Sequence, residues 1–263
     1  MRFCLLLACL FASIVSARDL TLVTNEWPPY SMQNGKQPGY AVELVQALAA
    51  STGLKINIKV LPLWDDAMSM VKKGDADGIF PIYKTAARLQ TLAYTQPLLM
   101  DNLVLYKRKD TDFGFPTATP SEDWVETFNN MQQHPFGVVK NYANIPEFDD
   151  NPHMKRLVVD NDSANMQQLL NKKVDFIFIN KLVAMYLLSD QFKDSRNKVS
   201  SMMPEVSTNP LFIAISRSNP EHDNIIEALN KGIHQMQEAH TPQTIMVKYL
   251  SNFIDPDVAP VKH

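Results

Sequence analysis

The chain has 263 residues, of which 45% are hydrophobic, and its formal net charge at pH 7 is −3. A slightly acidic chain argues against general nucleic-acid binding, because that function needs a basic surface. The length is sufficient to bury a large core and to build two lobes. With only 8 glycines and no low-complexity tract, the composition also excludes fibrous and disordered classes.

Residues 1–17 have the pattern of a signal peptide. Arg2 gives a positive start, an apolar run follows, and Val15-Ser16-Ala17 offers small residues at a cleavage site. The apolar run is shorter than the roughly 20 residues that span a bilayer. Both cysteines, Cys4 and Cys9, lie in this segment. We therefore expect an exported, periplasmic protein that is cysteine-free once the leader is removed.

Strand and helix patterns alternate in the first part of the chain. Apolar residues recur at helical spacing in one segment, a second has acidic residues at its start and a glycine at its end as helices do, and the other three have strand patterns. In chain order the five segments are Leu20–Thr24, Gly39–Thr52, Lys55–Val60, 65–74 and Gly78–Ile82. The order strand, helix, strand, helix, strand predicts a parallel sheet with right-handed crossovers.

Arg88 follows soon after the apolar run Gly78–Ile82. Ligands of open α/β sheets collect at the carboxyl ends of the strands, and this arginine comes just past such an end. Its planar guanidinium can bind a carboxylate through two parallel hydrogen bonds. On position alone a surface arginine in a helix is the alternative, but the rest of the chain favours a binding role.

The same alternation returns in the second part of the chain. A strand is predicted at Leu103–Tyr106 and a helix from Ser121 to Gln133. The segments after them are two strands, Phe136–Val139 and Arg156–Val159, a helix, Ser163–Leu170, and a strand, Val174–Ile179. Further strands are predicted at Val199–Met203 and Leu211–Ile215, then helices from Asn219-Pro220 to Gln237 and from Thr241 to Ile254. Leu169–Asn180 also echoes Met70–Ile82, which indicates two similar lobes.

Short motifs spread over the chain carry a family resemblance. They are Trp27-Pro28-Pro29-Tyr30, Gly39 to Leu44, Trp64-Asp65, Gly74 to Asp77, Thr85-Ala86-Ala87-Arg88 with Tyr94 to Pro97, Asp175 to Asn180, and Leu211 to Arg217. In this order and spacing they resemble the extracellular solute-binding proteins of family 3, the polar amino-acid receptors of ABC importers. The resemblance covers Leu20 to about Phe253.

The resemblance implies an α/β, two-lobed fold of the periplasmic-binding-protein type II. Each lobe would be a mostly parallel sheet flanked by helices, with lobe one at 18–106 plus 212–263 and lobe two at 107–211. Two hinge strands, Leu103–Tyr106 and Leu211–Ser216, would join the lobes around a ligand cleft that closes on its ligand. The resemblance further implies a monomer without cofactor, metal or catalysis, whose closed form docks on a membrane permease or sensor.

At the family's ligand-binding positions, some residues of this chain match the usual ones and others differ. Arg88 keeps the place of the arginine that binds the ligand's α-carboxylate, and Trp27 and Trp64 keep the places of two aromatic walls. The usual aspartate for the α-amino group is replaced by Asn180. Because a desolvated ammonium needs a charged partner, a standard amino acid should be held less well.

Aromatic side chains are expected around Arg88, and two of them, Phe80 and Tyr83, stand at a strand end where the family usually has small hydroxyl residues. The expected set is Trp27, Tyr30, Trp64, Phe80, Tyr83 and Tyr142. Such a pocket suits a small organic carboxylate with an apolar or aromatic body, or an unusual amino-acid derivative. The alternative is that some of these aromatic residues belong to the core.

Three functions stay open at this point. The leading one is a periplasmic binding protein that captures a small carboxylate-bearing solute for an ABC importer. The second, within the same fold, is a sensory receptor that feeds a membrane kinase or cyclase. The third is a dehydratase-like enzyme acting on cyclic carboxylates, which would need a general acid in the cleft, with Glu26, Asp65 and Glu147 as candidates.

Overall fold

The computed structural model describes residues 19–33, 35–111 and 124–251. The predicted leader at 1–17 lies outside the described residues, as do the start of the helix predicted from Ser121 and the end of the helix predicted to reach Ile254. Within the described ranges, no helix has both the length and the apolar character needed to cross a membrane.

The first lobe contains the predicted strand–helix alternation. Its elements are β1 (Leu20–Asn25), α1 (Tyr40–Thr52), β2 (Ile56–Leu61), α2 (Trp64–Lys73) and β3 (Gly78–Ile82). Strand β1 pairs in parallel with both β2 and β3, which gives the order β2-β1-β3. All five residues of β3 are buried, as its apolar run predicts.

Glycines end helices α1 and α2. Gly53 follows α1 with a φ of 70°, and Gly74 follows α2 with a φ of 80°. This left-handed conformation costs little only for glycine, so both helices stop where the sequence predicts. Helix α2 also has acidic residues in its first turn and lysines in its last turn, which complement the helix dipole.

The second lobe repeats the arrangement of the first. Its elements are β6 (Pro135–Val139), α5 (Pro146–Asp149), β7 (Lys155–Val159), α6 (Asp162–Leu170) and β8 (Phe176–Asn180). Strand β6 pairs in parallel with β7 and β8, so the order β7-β6-β8 matches β2-β1-β3. The two sequence segments that resemble each other, Met70–Ile82 and Leu169–Asn180, each supply a helix end and the strand after it.

Two long strands join the lobes: β5 (Leu99–Arg108) and β10 (Ser207–Ser216). They pair antiparallel with each other; β10 also borders β3 and β5 also borders β8. Both begin earlier than predicted and contain the predicted hinge segments. The predicted lobe boundaries at 106/107 and 211/212 fall within these strands and stay a prediction.

The remaining elements cover the sheets or extend their edges. They are α3 (Ala86–Leu89), β4 (Leu92–Tyr94), α4 (Trp124–Met131), α7 (Lys181–Ser189), a 3₁₀ helix (Lys193–Lys198), β9 (Val199–Ser201), α8 (His222–Glu238) and α9 (Thr241–Leu250). Helix α7 was not predicted; Asn180, the residue at its N-cap, makes no side-chain cap hydrogen bond.

Helix α8 begins later than predicted, at His222 rather than at Pro220. The predicted N-cap, Asn219, forms a local turn instead, in which its side-chain oxygen accepts from the amide of Glu221 at 2.9 Å. Its side-chain nitrogen donates to Asp77 at 3.0 Å. The second bond holds the segment to Asp77, the residue before β3, and the helix starts after it.

Five phenylalanines form the core of the second lobe: Phe128, Phe136, Phe148, Phe176 and Phe178. Phe128, from α4, is fully buried and meets Phe148 edge-on with ring centroids 5.4 Å apart. Phe148 and Phe178 lie closer still, at 4.6 Å. Edge-on pairs add to the stabilisation that area burial gives, so this cluster fixes α4 and α5 on the sheet.

We expect Phe128→Ala to lower the free energy of unfolding by about 3 to 5 kcal/mol, because it leaves a cavity in this cluster. Urea unfolding of the wild type and the variant measures the loss. The control is Val247→Ala, since Val247 is 65% exposed and its truncation should change stability by no more than about 0.5 kcal/mol. Equal losses in the two variants would contradict the assignment of the core.

Candidate functional site

A cavity lies between the lobes, where the parallel strands of both sheets end. The last residues of β1, β3, β6 and β8 line it: Asn25, Ile82, Val139 and Asn180. This is the position at which open α/β sheets place their ligands. The cavity volume is about 40 Å³, which leaves space for only a few water molecules. Side chains of the protein therefore leave little free space at these strand ends.

Six of the eight residues predicted to bind ligand line this cavity. They are Trp27, Trp64, Tyr83, Arg88, Tyr142 and Asn180. The other two, Phe80 and Tyr30, do not line it and are buried in the core of the first lobe. For these two the structure matches the alternative that some of the aromatic residues are core. The binding roles of the other six stay predictions.

Arg88 connects the two lobes. Its two terminal nitrogens donate to the backbone carbonyls of Tyr83, at 3.0 Å, and Asn141, at 3.1 Å. The guanidinium also lies over the ring of Trp64, 5.1 Å from its centroid. Burial lowers the pKa of Arg88, yet a guanidinium stays cationic in proteins. A cation with neutral carbonyl partners therefore faces the cleft.

The segment Lys140–Tyr142, which we call the cleft loop, follows β6 and closes the cleft from the second lobe. Lys140 forms an ion pair with Asp65 at 2.7 Å, and the side chain of Asn141 donates to the same carboxylate at 2.5 Å. These two hydrogen bonds lower the pKa of Asp65. The ring of Tyr142 lies edge-on to Trp27 and Trp64, with centroids 6.3 and 6.1 Å away.

Asp162 lines the cavity although it was not predicted there. The indole nitrogen of Trp27 donates to its carboxyl group at 3.0 Å. Only 5% of Asp162 is exposed. Burial raises its pKa to about 7, although the hydrogen bond from Trp27 acts against the shift. The cap of α6 is the preceding residue, Asn161, whose side chain accepts from the amide of Ala164.

Asp101, on β5, is a second buried carboxyl group that sequence reasoning missed. Tyr30 and Tyr83 donate their hydroxyls to it, the latter at 2.6 Å, and the side-chain amide of Asn180 also donates to it. Burial raises the pKa of Asp101, while these donors act to lower it. The predicted strand began only at Leu103, so no pattern pointed to a carboxylate inside it.

These bonds explain why Asn180 differs from the aspartate that the resemblance implied. Its side-chain nitrogen donates to Asp101 and, at 2.7 Å, to the hydroxyl of Tyr83. An aspartate at this position would place a second negative charge beside Asp101 and could not donate when ionised. The amide at the end of β8 is therefore engaged with the hinge strand.

The three acids considered for an enzyme do not line the cavity in the part of the chain that the structure describes. Glu26 accepts a hydrogen bond from the amide of Gln33 at 2.7 Å. Asp65 is paired with the cleft loop, and Glu147 is exposed. The carboxyl group that does line the cavity is that of Asp162.

Comparisons with known proteins agree with this architecture. The model of a family described as bacterial extracellular solute-binding proteins, family 3, matches residues 20–252. Among curated proteins, the virulence sensor protein BvgS of Bordetella bronchiseptica is 21% identical over 217 residues. That match covers 81% of this chain and 16% of the relative, so the chain spans a small part of the length of the curated relatives that it matches.

Two solved structures illustrate the likeness in fold. A histidine kinase sensor domain with similarity to periplasmic binding proteins has a TM-score of 0.74 at 16% identity, and the match covers 89% of this chain and 96% of that one. The GluR0 ligand-binding core from Nostoc punctiforme, in complex with L-glutamate, has a TM-score of 0.69 at 16% identity. This match covers 88% of this chain and 98% of the GluR0 core. The two-lobed fold expected from the sequence is thus confirmed.

We expect Asp162→Asn to weaken the pH dependence of stability. The pKa of Asp162 is about 7 in the folded chain and about 3.9 in an unfolded one. Between these values the folded state holds a proton that the unfolded state has lost, so stability falls as pH rises. Urea unfolding measures the decrease in the free energy of unfolding from about pH 5 to about pH 8. That decrease should be smaller by about 2 kcal/mol in the variant than in the wild type.

The control for this measurement is Asp160→Asn, because Asp160 is an exposed acid on the same loop. This variant should keep the pH dependence of the wild type. If Asp162→Asn kept it as well, the buried carboxyl group would not be the titrating one.

Proposed function

Because the chain belongs to the bacterial extracellular solute-binding proteins of family 3, we propose that it captures a small carboxylate-bearing solute in the cleft between its lobes. The observation that carries the proposal is the position of Arg88, whose guanidinium lines the cavity and donates only to backbone carbonyls among its described hydrogen bonds. A carboxylate can replace a carbonyl there and gain a charge-assisted, two-pronged hydrogen bond.

Capture would proceed by opening and reclosing of the lobes around β5 and β10. In the open form the cleft loop would leave Arg88, and the solute's carboxylate would take the place of the Asn141 carbonyl. Trp27 and Trp64 would form the walls, and Asn180 would add a polar contact from the second lobe. One neighbour in fold, the GluR0 core, holds L-glutamate, which is a carboxylate ligand.

A thermal-shift screen of amino acids, organic acids and aromatic carboxylates tests this proposal. A true solute raises the melting temperature, because it binds the folded state alone. Arg88→Ala should abolish that shift, since truncating one partner of a buried charge pair costs about 2 to 5 kcal/mol. The matched control is Arg196→Gln, an exposed arginine on another surface. A shift that persists unchanged in Arg88→Ala would contradict the role of Arg88.

We further propose that the protein works in the periplasm and delivers its solute to an ABC importer, as the family resemblance implies. A sensory role is the second candidate, favoured by the similarity to BvgS and to a histidine kinase sensor domain. Deleting the gene distinguishes the transport role from the sensory role. Loss of solute uptake supports transport, whereas normal uptake with a lost transcriptional response to the solute supports sensing.

The proposed role is binding rather than catalysis. The family and its neighbours in fold are binding and sensor proteins, which favours this role. A turnover assay on prephenate-like cyclic carboxylates tests it, because Asp162 places a carboxyl group in the cavity. Product formation that is lost in Asp162→Asn would contradict a purely binding role.

A further inference from the structure

A cavity lined by lysines lies in the second lobe, away from the cleft. Its volume is about 380 Å³, and its walls come from the end of β5, the turn after α6 and the end of the 3₁₀ helix. Five charged residues line this space, which we call the lysine cavity: Arg108, Lys109, Asp110, Lys172 and Lys198. Four cations therefore face one carboxylate here, although the chain as a whole has a net charge of −3.

The lysine cavity and the cleft lie at opposite ends of the second-lobe sheet. Strand β8 begins at Phe176, which pairs with Lys107 near the end of β5, and it ends at Asn180, which lines the cavity in the cleft. A strand of this length spans about 13 Å. An occupant of the lysine cavity therefore leaves the cleft free for a solute.

Two of the lysines face each other across paired backbone. The amide of Lys109 donates to the carbonyl of Lys198 at 2.9 Å, which continues the antiparallel pairing of β5 with β9. Side chains directly opposite each other in such a pair are neighbours, and like charges there are destabilising. Neither amine has a hydrogen bond or an ion pair with a described residue. Two neighbouring positive charges are therefore left without a counter-charge.

The other two cations of the lysine cavity have carboxylate partners. Lys172 forms an ion pair with Asp110 at 2.9 Å, and Arg108 forms one with Asp175 at 3.0 Å. Arg108 is only 6% exposed, yet its Nε has no hydrogen-bond partner among the described residues, and a carboxylate oxygen of Asp110 lies 3.7 Å from it. A buried donor without a bond is costly, so the positive charge of this cavity is compensated only in part.

We propose that the lysine cavity binds a dianionic phosphate group, which is either inorganic phosphate or the phosphate of a small monoester. Its oxygens accept hydrogen bonds from the amines of Lys109 and Lys198. Lys172 shares its amine between Asp110 and the phosphate. Lysine suits this task because its ammonium is a compact charge with three rotatable donors, and it is a common phosphate ligand in proteins.

The charge balance selects the class of anion. A phosphate monoester carries about −1.5 to −2 at pH 7, which matches the two lysines that lack a counter-charge. A carboxylate or a phosphodiester carries a single negative charge and leaves one of these lysines uncompensated. The volume of the lysine cavity is also in the range of small-molecule sites, so a small organic group attached to the phosphate has space.

Calorimetric titration with inorganic phosphate at low ionic strength tests this site. Lys109→Gln and Lys198→Gln should each weaken binding about tenfold, because each removes one charge-assisted hydrogen bond to the phosphate. Asp110→Asn should instead strengthen binding about threefold, since it removes a negative charge that competes for Lys172. Phosphate that binds the two lysine variants as tightly as the wild type would overturn the proposal.

Lys193→Gln is the matched control. Lys193 is an exposed lysine at the start of the same 3₁₀ helix and does not line the cavity, so this variant should bind phosphate as the wild type does. Weakening as large as in Lys198→Gln would show a response to net charge alone and would overturn the site. Acetate, a monoanion, should bind at least about tenfold more weakly than phosphate; equal binding would overturn the choice of a dianion.

Two further arms separate the lysine cavity from other places where phosphate can bind. Phosphate binding that is lost in Arg88→Ala but kept in Lys198→Gln would place the phosphate in the cleft and overturn the proposal. Vesicles of phosphatidylglycerol present a phosphodiester surface. If they bind through Lys109 and Lys198 while free phosphate does not bind, the lysines serve an anionic membrane surface and the proposal falls. The solute in the cleft is tested through Arg88 with carboxylates, so either proposal can fail while the other stands.

Discussion

The antiparallel pairing of β5 with β10 is the constraint on which the rest of the structure depends. Each strand belongs to the edge of one lobe and pairs with the other strand, so the cleft lies where both sheets end beside them. The buried carboxyl group of Asp101 lies on β5 within this paired stretch. Its donors come from the loop after β1, from the end of β3 and from β8, and they tie both sheets to one strand.

Arg88 and Asp162 line the cavity in the cleft, and the buried carboxyl group of Asp101 lies behind it. Taking a charge out of water is costly, so each of these groups has hydrogen-bond partners. Arg88 has carbonyls from both lobes, Asp101 has two phenols and an amide, and Asp162 has an indole. The closed form satisfies these groups with the protein's own atoms. A solute therefore has to replace contacts that already exist.

Much of the fold follows from the local sequence, and the interior of the site does not. Gly78–Ile82 was predicted with its correct bounds because a continuous apolar run between polar residues leaves few alternatives. Arg88 was identified by its place after that strand. Asp162 was missed because an acid in the first turn of a helix already has a local explanation. Asp101 and the contacts of Asn141 depend on residues distant in sequence, which no periodicity reveals.

Two oxygen atoms of Tyr83 form hydrogen bonds with two different charged residues. Its carbonyl oxygen accepts from Arg88, and its hydroxyl donates to Asp101 on β5. A displacement of this residue therefore disturbs the cation of the cleft and the acid of the crossing strand together. A change in the angle between the lobes that shifts Tyr83 changes the free energy of binding at Arg88. By thermodynamic reciprocity, binding at Arg88 changes the free-energy difference between the two interlobe angles by the same amount.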